Sequence, residues 1–387
     1  MSKNEKILKK IGSNKVDWVK LGDVCTFTRG KPLSSSDTIP GDVPVISGGQ
    51  KPSFYHNCPN RVRNTITVAG SGASAGFVSY WEIPIWVADA FTVVPYEKLT
   101  LKYVYYFLKN NQEKIYRLQK GAGVPHVHGN DIAGLKIPVP QIAIQNLIVL
   151  ILDSFSTLIV KMKQEVELRK KQMEYYRDKF YGGDFEGMKA LRNNPGNSIV
   201  PFADLGEITR GRRFVREDIR VSGQPCIHYG DMYTCYGTKC DKTQTYLDRD
   251  YPKRMRYAHK GDVVIVGAGE NDEDIGVGLV WMGDEPAAVH DACYILEHNL
   301  NPMYVSYYLR TNIYHQQLKQ YVSSGKICSF SQKGLGKVLF PIQSDEKQRS
   351  IVSILDAFET YISKLEQLIA LHEKQYAYYR EKLLTFD

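Results

Sequence analysis

Two stretches of this chain carry apolar residues at alternating spacings of four and three, the period of one face of a long helix. Near the C-terminus the spacing runs without a slip over ten positions, and the same pattern lies 203 residues earlier. Two matched seams of this length predict a coiled coil. The seams are Ile351, Leu355, Phe358, Ile362, Leu365, Ile369, His372, Tyr376, Tyr379 and Leu383, and Ile148, Leu152, Phe155, Ile159, Met162, Val166, Arg169, Met173, Tyr176 and Phe180.

Short runs typical of β-strands, bounded by turn residues, precede each long helix. Tyr-rich helices are predicted near 100–119 and 302–321. Because strands and helices do not alternate regularly, the pattern favours α+β domains over a doubly wound sheet. The runs are VPVISGG, NTITVAGSG and AFTVVP in the first half, and GDVVIVGAG and ACYIL in the second.

The two halves of the chain are related by an internal repeat. VKLGDVCTFTRGK (19–31) aligns on VPFADLGEITRGR (200–212) without gaps, and KQMEYYRDKF (171–180) aligns on KQYAYYREKL (374–383). The order is therefore domain, helix, domain, helix. We assign residues 1–16 to a basic N-terminal tail, 17–140 to the first domain, 141–182 to the central helix, 183–342 to the second domain and 343–387 to the C-terminal helix.

Pairing of the two helices within one chain is favoured because both seams are held at high effective concentration. An antiparallel pair is the simpler geometry, since each domain then joins neighbouring helix ends and a pseudo-twofold axis relates the repeats. Pairing between two chains remains an alternative. His372 and Arg169 share one seam position, and we interpret them as residues that fix register rather than as catalytic groups.

Charge is distributed unequally over a net +8. Residues 1–140 contain 18 basic and 10 acidic side chains, whereas residues 183–342 contain 19 of each. Seven scattered cysteines indicate neither a disulfide framework nor a metal site. Polar residues interrupt the longest apolar stretch, 142–160, and the Lys-rich start lacks a signal-peptide core, so we expect a cytoplasmic protein without a membrane span.

Such a domain–helix repeat suits the reading of duplex DNA at two separated places. Helices of roughly 40 residues span about 60 Å, which is enough to hold two readers one helical turn or more apart. The sequence contains no phosphate-loop, methyltransferase or HExxH motif, so we expect no catalytic residue and no metal ligand in this chain.

The repeats resemble Type I restriction-modification specificity subunits over nearly the whole chain. The motifs that carry the resemblance are the TRGK (28–31) and TRGR (209–212) turns, KIPVP (136–140) and VLFPI (338–342), and SDEKQRSIVSILDAFETYI (344–362). The central copy, QIAIQNLIVLILDSFSTLI (141–159), departs from the pattern by lacking the acidic residue before Gln145.

The resemblance implies two target-recognition domains that bind double-stranded DNA at an asymmetric, two-part site. It also implies that two methyltransferase (M) subunits bind around the coiled coil and that restriction (R) subunits join them. S-adenosylmethionine, ATP and magnesium would then belong to those partners, and this chain would carry no cofactor.

Sequence discrimination requires donors and acceptors on loops that reach base edges, while phosphate contacts position the protein. In the first domain the candidates are Arg29, Lys31, Gln50, Lys51, Arg61, Arg63, Lys120, His126, His128 and Asn130. In the second they are Arg210, Arg212, Arg213, His228, Arg254, Arg256, Ser324, Lys326, Ser329 and Gln332. Candidates for partner binding are Tyr175, Tyr176, Arg177, Tyr378, Tyr379 and Arg380.

Four alternatives stay open. The repeated Arg–Gly pair could be a turn that the fold requires. The chain could be a coiled-coil scaffold that binds proteins and not DNA, or an enzyme with a site near His126, His128 and Asp131. For Tyr176 and Tyr379, packing at the coil ends is as good an explanation as partner binding.

Overall fold

The computed structural model describes residues 11, 16–121, 123–251, 254–269, 275–323, 325 and 327–386. The chain divides into two compact units. The first unit comprises residues 1–163 and 367–387, and the second comprises residues 164–366. Each unit therefore contains one mixed domain and one end of each long helix.

The first unit is built on a four-stranded antiparallel sheet and a smaller three-stranded sheet. A separate pair of strands ties the start of the domain to its end. In spatial order the large sheet is Cys25–Arg29, Ala90–Pro95, Thr65–Ala69 and Val78–Trp81, the small sheet is Phe54–His56, Val43–Ile46 and Trp86–Val87, and the tie is Asp17–Lys20 with Lys136–Val139.

The second unit repeats this plan with additions. Its five-stranded sheet orders Gly206–Arg210, Cys293–His298, Val263–Val266, Gly278–Trp281 and Lys239–Cys240. The four-stranded sheet orders Thr245–Leu247, Gln224–Ile227, Ala287–Val289 and Tyr257–Ala258. Ala268–Gly269, Cys328–Phe330 and Val322–Ser323 form a three-stranded sheet, and Ser198–Pro201 pairs with Leu339–Ile342.

Tyrosine-rich helices lie where the sequence predicted them, and they pack against the large sheet of each unit. Tyr103 and Tyr304 are fully buried, and their hydroxyls donate to the carbonyls of Pro138 (3.0 Å) and Pro341 (2.8 Å). Both bonds hold the strand that leads into a long helix. The short helices are Leu21–Val24, Leu101–Asn110, Gln112–Tyr116 and Gly129–Ala133 in the first unit, and Phe185–Leu191, Tyr229–Thr234, Pro302–Tyr308, Asn312–Leu318 and Gln332–Leu335 in the second.

The long helices span Ile142–Phe180 and Asp345–Leu384 and are called here the central and C-terminal helices. All twenty predicted seam residues are buried or half-buried, which confirms the period read from the sequence. Arg169 lies within the seam with its Nε 2.8 Å from Glu165 and its guanidinium over the Tyr361 ring. Its charge is therefore paired within the seam.

Within each unit the two helices run antiparallel. In the first unit Phe155 stacks on Tyr379 with ring centroids 5.4 Å apart, and further along Lys163 pairs with Glu373 at 2.7 Å. Rising numbers in the central helix thus meet falling numbers in the C-terminal helix. The second unit continues the pattern, with Lys170 paired to Glu366 at 2.9 Å and Tyr176 stacked on Phe358 at 6.0 Å. The predicted α+β class and the intramolecular antiparallel coiled coil are confirmed.

Two buried glutamines fasten the helix starts to their domains. The Gln145 side-chain amide donates to the carbonyls of Lys98 and Pro140, both at 2.9 Å, and accepts from the Thr100 N–H at 2.8 Å. Gln348 repeats the arrangement, accepting from the Asn301 N–H at 3.2 Å. Since buried amides are costly without partners, these contacts fix where each helix begins.

By length and composition alone, the central helix is apolar enough to cross a membrane. Its composition therefore does not by itself exclude a membrane span, although Gln145, Asn146 and Asp153 interrupt the apolar stretch. One such helix is weak evidence, because core helices of soluble proteins have the same composition. Here Ile148 and Leu152 are fully buried in the core of the first unit.

The predicted basic tail, residues 1–16, lies largely outside the described residues. Ile11 is described, and it is helical and only 2% exposed in the core of the first unit. A solvated tail does not account for that burial.

Candidate nucleic-acid interface

In the first unit the strand Cys25–Arg29 ends in a turn that lies directly against a neighbouring segment. The Lys31 N–H donates to the Val87 carbonyl at 2.9 Å. A Cβ atom added to Gly30 would lie 2.4 Å from the carbonyl oxygens of both Val87 and Ala88, which is too close for any side chain.

The second unit contains the same turn. The Arg212 N–H donates to the Val289 carbonyl at 2.9 Å, and a Cβ on Gly211 would lie 2.2 Å from the His290 carbonyl oxygen. Close backbone packing therefore explains why the glycine repeats, which is the structural alternative that the sequence left open. It does not explain the exposed arginine before each glycine.

In the first unit this arginine is Arg29, and it belongs to a small basic group. Its partner Arg61 donates from Nη2 to the Arg29 carbonyl at 3.2 Å. The Arg29 guanidinium lies 3.9 Å from Asp89 and is otherwise exposed, so it remains able to contact an anion.

The second unit builds the same group from different positions. Arg256 donates from Nη1 to the Arg210 carbonyl at 2.6 Å, and Arg210 donates from Nε to the Asp291 carbonyl at 2.7 Å. The arginines thus support the turn and present positive charge beside it.

The late loop of the first unit joins this basic group. His126, His128 and Asn130 line a cavity of about 360 Å³ together with Arg29 and Asp89. The two imidazole planes are nearly parallel, with centroids 6.3 Å apart. Side chains predicted separately from the sequence therefore converge on one concave surface with donors and acceptors.

Lys120 and Asp131 have a different role in that loop. The Lys120 ammonium lies 2.5 Å from the Asp131 carboxylate, and this hydrogen bond lowers the pKa of Asp131. The same carboxylate accepts from the His128 N–H at 3.3 Å. Asp131 is thus engaged in holding the loop, an arrangement that leaves it poorly placed to act as a base beside His126 and His128.

The remaining candidates of the first unit do not converge on the cavity. Lys31, Gln50, Lys51 and Arg63 are exposed on loops.

The second unit brings fewer candidates together. Gln332 uses its side-chain amide to donate to the Ile208 carbonyl at 2.7 Å, so that group supports a strand. Ser329 is half-buried in the strand Cys328–Phe330, and His228 lies half-buried beside the Arg–Gly turn. Arg212, Arg213 and Arg254 are exposed. Ser324 and Lys326 lie outside the described residues.

Sequence reasoning missed Asp89, Asp291 and His290, which lie against the Arg–Gly turns. A signal was present, because VADA (87–90) and VHDA (289–292) repeat the aspartate at the same place in each half. The motif is short and falls between two strands, so it did not stand out from ordinary loop sequence.

The candidate partner-binding residues divide into exposed and packed groups. Tyr175 and Tyr378 are 59% and 53% exposed. Tyr176 and Tyr379 stack within the coil. Arg177 lies 3.6 Å from Asp178 on its own helix, and Arg380 reaches the first domain, with its Nε 3.3 Å from the Asn110 side-chain oxygen.

A family model, the Type I restriction modification DNA specificity domain, matches this chain twice, at residues 14–168 and 196–372. The two matches correspond to the two sequence repeats.

Curated relatives span the same length. A Haemophilus influenzae protein assigned as a type I restriction enzyme specificity subunit is 25% identical, with 100% of each chain covered. An Escherichia coli type I restriction enzyme specificity subunit is 24% identical over 100% of this chain and 97% of its own. The crystal structure of a Type I restriction-modification S subunit from M. genitalium covers 96% of this chain and 97% of its own, with a TM-score of 0.63 and 19% identity, and so shares the fold.

Proposed function

This chain belongs to the Type I restriction modification DNA specificity family, and on that premise we propose that it reads an asymmetric, two-part DNA target with one domain for each half. The observation that carries the proposal is that the two units share one backbone arrangement but present different side chains on it. Each unit places the same Arg–Gly turn beside the late loop of its domain. His126 is bridged to Ser71 in the first unit, and Ser329 pairs with the equivalent Ala268 in the second. The late loop therefore carries His126 and His128 in the first unit where the second has Ser329 and Ser331. Different donors on equivalent loops favour different half-sites.

Exposed cations supply the part of binding that does not depend on base sequence. Phosphate contacts give affinity and register, and they weaken as the salt concentration rises, because releasing condensed counterions into a saltier solution gains less free energy. In this proposal Lys31, Lys51 and Arg63 contact phosphates, as do Arg212, Arg213 and Arg254. The groups beside the turns, including His126, Asn130 and His228, contact bases.

The coiled coil serves as the spacer between the two half-sites and as the docking element for methyltransferase subunits. Its helices are 39 and 40 residues long, or about 60 Å at 1.5 Å per residue. A helical spacer of this kind predicts a fixed number of unread base pairs between the halves.

A repeated surface supports docking of two copies of one partner. Along one exposed face of the central helix, six residues follow one another at spacings of four and three. Each is identical to its counterpart 203 residues later, and all twelve residues are exposed. The seam, which packing constrains, keeps only five identities in ten. We call the two faces the repeated stripes: Thr157, Lys161, Gln164, Leu168, Lys171 and Tyr175, and Thr360, Lys364, Gln367, Leu371, Lys374 and Tyr378.

Solvent-facing positions have no packing reason to match between repeats, whereas contact with the same protein twice would require it. Leu168 and Tyr175 lie one heptad apart on the central stripe, and Leu371 and Tyr378 do the same on the other, so each offers an apolar anchor with flanking polar groups. Two methyltransferase subunits fit this pattern, one on each stripe.

The chemistry of modification and cleavage would lie in the partners. In this proposal the chain is a non-catalytic cytoplasmic subunit. S-adenosylmethionine binds the methyltransferase subunits, while ATP and magnesium serve the restriction subunits.

The test is co-expression with the cognate methyltransferase subunit, followed by sequencing that maps methylated bases in the host DNA. We expect methylation confined to a two-part motif with a fixed gap. Replacing residues 17–140 by the equivalent domain of a relative should change one half of the motif and leave the other half and the gap intact. Replacing residues 183–342 is the matched control and should change the other half only.

A stable complex that methylates nothing, or whose motif ignores both replacements, would contradict DNA reading. That outcome would favour the protein-binding scaffold instead.

A further inference from the structure

A pair of histidines lies beside the Arg–Gly turn of the second unit. His228 follows the strand Gln224–Ile227 and His290 follows Ala287–Val289, two strands that pair in parallel. The two imidazole centroids are 4.7 Å apart. Because the His290 carbonyl faces Gly211, the pair belongs to the same surface as the basic group of Arg210 and Arg256.

Backbone hydrogen bonds determine where the ring protons are. His228 Nδ1 accepts from the Gly230 N–H at 3.2 Å, and His290 Nδ1 accepts from the Ala292 N–H at 3.1 Å. A nitrogen that accepts a hydrogen bond carries no proton, so the neutral His228 ring carries its proton on Nε2 and donates from there.

The two rings differ in their partners. The His290 ring packs edge-on against Phe214, a side chain that is 2% exposed, with ring centroids 5.0 Å apart, and its Nδ1 lies 3.3 Å from the Asp291 carboxylate. Within the described part of the chain, His228 Nε2 has no protein acceptor. His290 is thus locked in place, and the half-buried His228 presents an unused donor.

Partial burial favours the neutral form of both rings, because it is the largest influence and lowers the pKa of both histidines. Arg216 near His228 and Arg213 near His290 act in the same direction, whereas Asp231 and Asp291 oppose it. In protein–DNA complexes, base contacts specify the sequence and phosphate contacts position the protein. The neutral His228 donor suits a base contact, and the exposed arginines around it suit phosphate contacts.

The first unit lacks this pair. Its strands Val43–Ile46 and Trp86–Val87 pair in parallel in the same way, and the residues that follow them are Ser47 and Ala88. The scaffold therefore does not require histidines at these positions. A reader specific to the second half-site accounts for them.

We propose that His228 reads one base of the second half-site by donating from Nε2 to a purine N7, guanine O6 or thymine O4 in the major groove, with His290 as its positioning residue. This inference rests on the proposed function. It assigns a single base position to a single donor, whereas the exposed arginines around it contact phosphates.

The experiment uses the complete chain co-expressed with its methyltransferase subunit, with methylated bases mapped at many sites. His228→Phe keeps an aromatic ring and removes the donor. We expect discrimination at one position of the second half-site to fall roughly three- to tenfold, the value of one neutral hydrogen bond. The first half-site should not change, and His290→Phe should weaken the same position less.

His228→Gln, which keeps an N–H donor, should retain more of the preference than His228→Phe. If the His228→Phe variant gives no soluble complex, the base preference of His228→Gln tests the inference instead. The matched control is His259→Phe, an exposed histidine of the same unit that pairs with Asp262, and it should leave the motif unchanged.

Uniform loss of methylation over all sites would mean that His228 contacts a phosphate, and an unchanged motif in both His228 variants would mean that it contacts no base. Either result overturns the inference while the wild-type two-part motif stands. Absence of that motif from the wild type would instead overturn the proposed function.

Discussion

At the scale of single residues, the two units support the same Arg–Gly turn with arginines from different positions in the chain. Arg61 and Arg256 hydrogen-bond the equivalent carbonyl of the Arg–Gly turn, although Arg61 is bridged to Ile85 whereas Arg256 accepts from the Val289 N–H. Gly30 is required beneath them for a steric reason, since neighbouring carbonyls leave no room for a Cβ. The turn is therefore a supported platform, and its arginine is the part free to bind.

Gly30→Ala should destabilise the protein by about 1–3 kcal/mol, because the new methyl group must displace backbone carbonyls that cannot rotate away. Urea unfolding measures the change. The matched control is Gly123→Ala, where a Cβ would meet nothing within 4 Å, and its effect should stay within about 0.5 kcal/mol. Equal effects for the two variants would show that the turn can relax and that the glycine is not structural.

At the scale of elements, the long helices combine a packed seam with an exposed apolar surface. Leu152 is fully buried in the core of the first unit, while Leu150, two residues earlier on the same helix, is 63% exposed. This contrast explains why the central helix is so apolar overall. One face packs against the domain and the C-terminal helix, and the other remains available.

Leu152→Ala should lower the free energy of unfolding by about 2–5 kcal/mol, since it leaves a cavity in a close-packed core. Leu150→Ala removes the same atoms from the surface and should change it by about 0.5 kcal/mol or less. Chemical denaturation of both variants tests the seam assignment directly. A larger loss for Leu150→Ala than for Leu152→Ala would show that the seam is assigned to the wrong face.

At the scale of the whole molecule, the repeats share a scaffold but differ in charge and in loops. Residues 17–140 carry 13 basic and 9 acidic side chains, whereas residues 183–342 carry 19 of each. The first domain should therefore supply more of the phosphate contacts and the second should depend more on local groups such as the histidine pair. The repeated stripes, in contrast, are identical in the two halves and favour identical partners.

The stripes give a stoichiometry that can be measured. Leu168→Ser combined with Tyr175→Ala should reduce the bound methyltransferase subunits from two to one, because only one apolar anchor is removed. Leu371→Ser combined with Tyr378→Ala should do the same, and all four changes together should abolish binding. Native mass spectrometry of the complex counts the subunits.

Val160→Ser is the control for that experiment, since Val160 is exposed on the same helix but has a serine as its counterpart 203 residues later. It should leave two subunits bound. If either double variant loses both subunits, or neither, the two stripes are not independent docking sites.

The sequence by itself determined the repeat, the α+β class, both long helices and the seam along which they pair. These features depend on local periodicity and on the similarity between the two halves. Both are properties of the order of residues along the chain and need no knowledge of long-range contacts. The aromatic helices could be predicted for the same reason, since Tyr103 and Tyr304 lie at matching places in the two halves.

Only the tertiary structure decided how the candidate sites are composed. It brought His126 and Asn130 to Arg29, placed His290 against His228, and engaged Asp131 with Lys120. Each contact joins segments that lie far apart in the sequence or turn side chains within one loop, and strand pairing and loop conformation set them. Local patterns do not encode that geometry, because the same polar residue can support a carbonyl, neutralise a carboxylate or remain free to bind DNA.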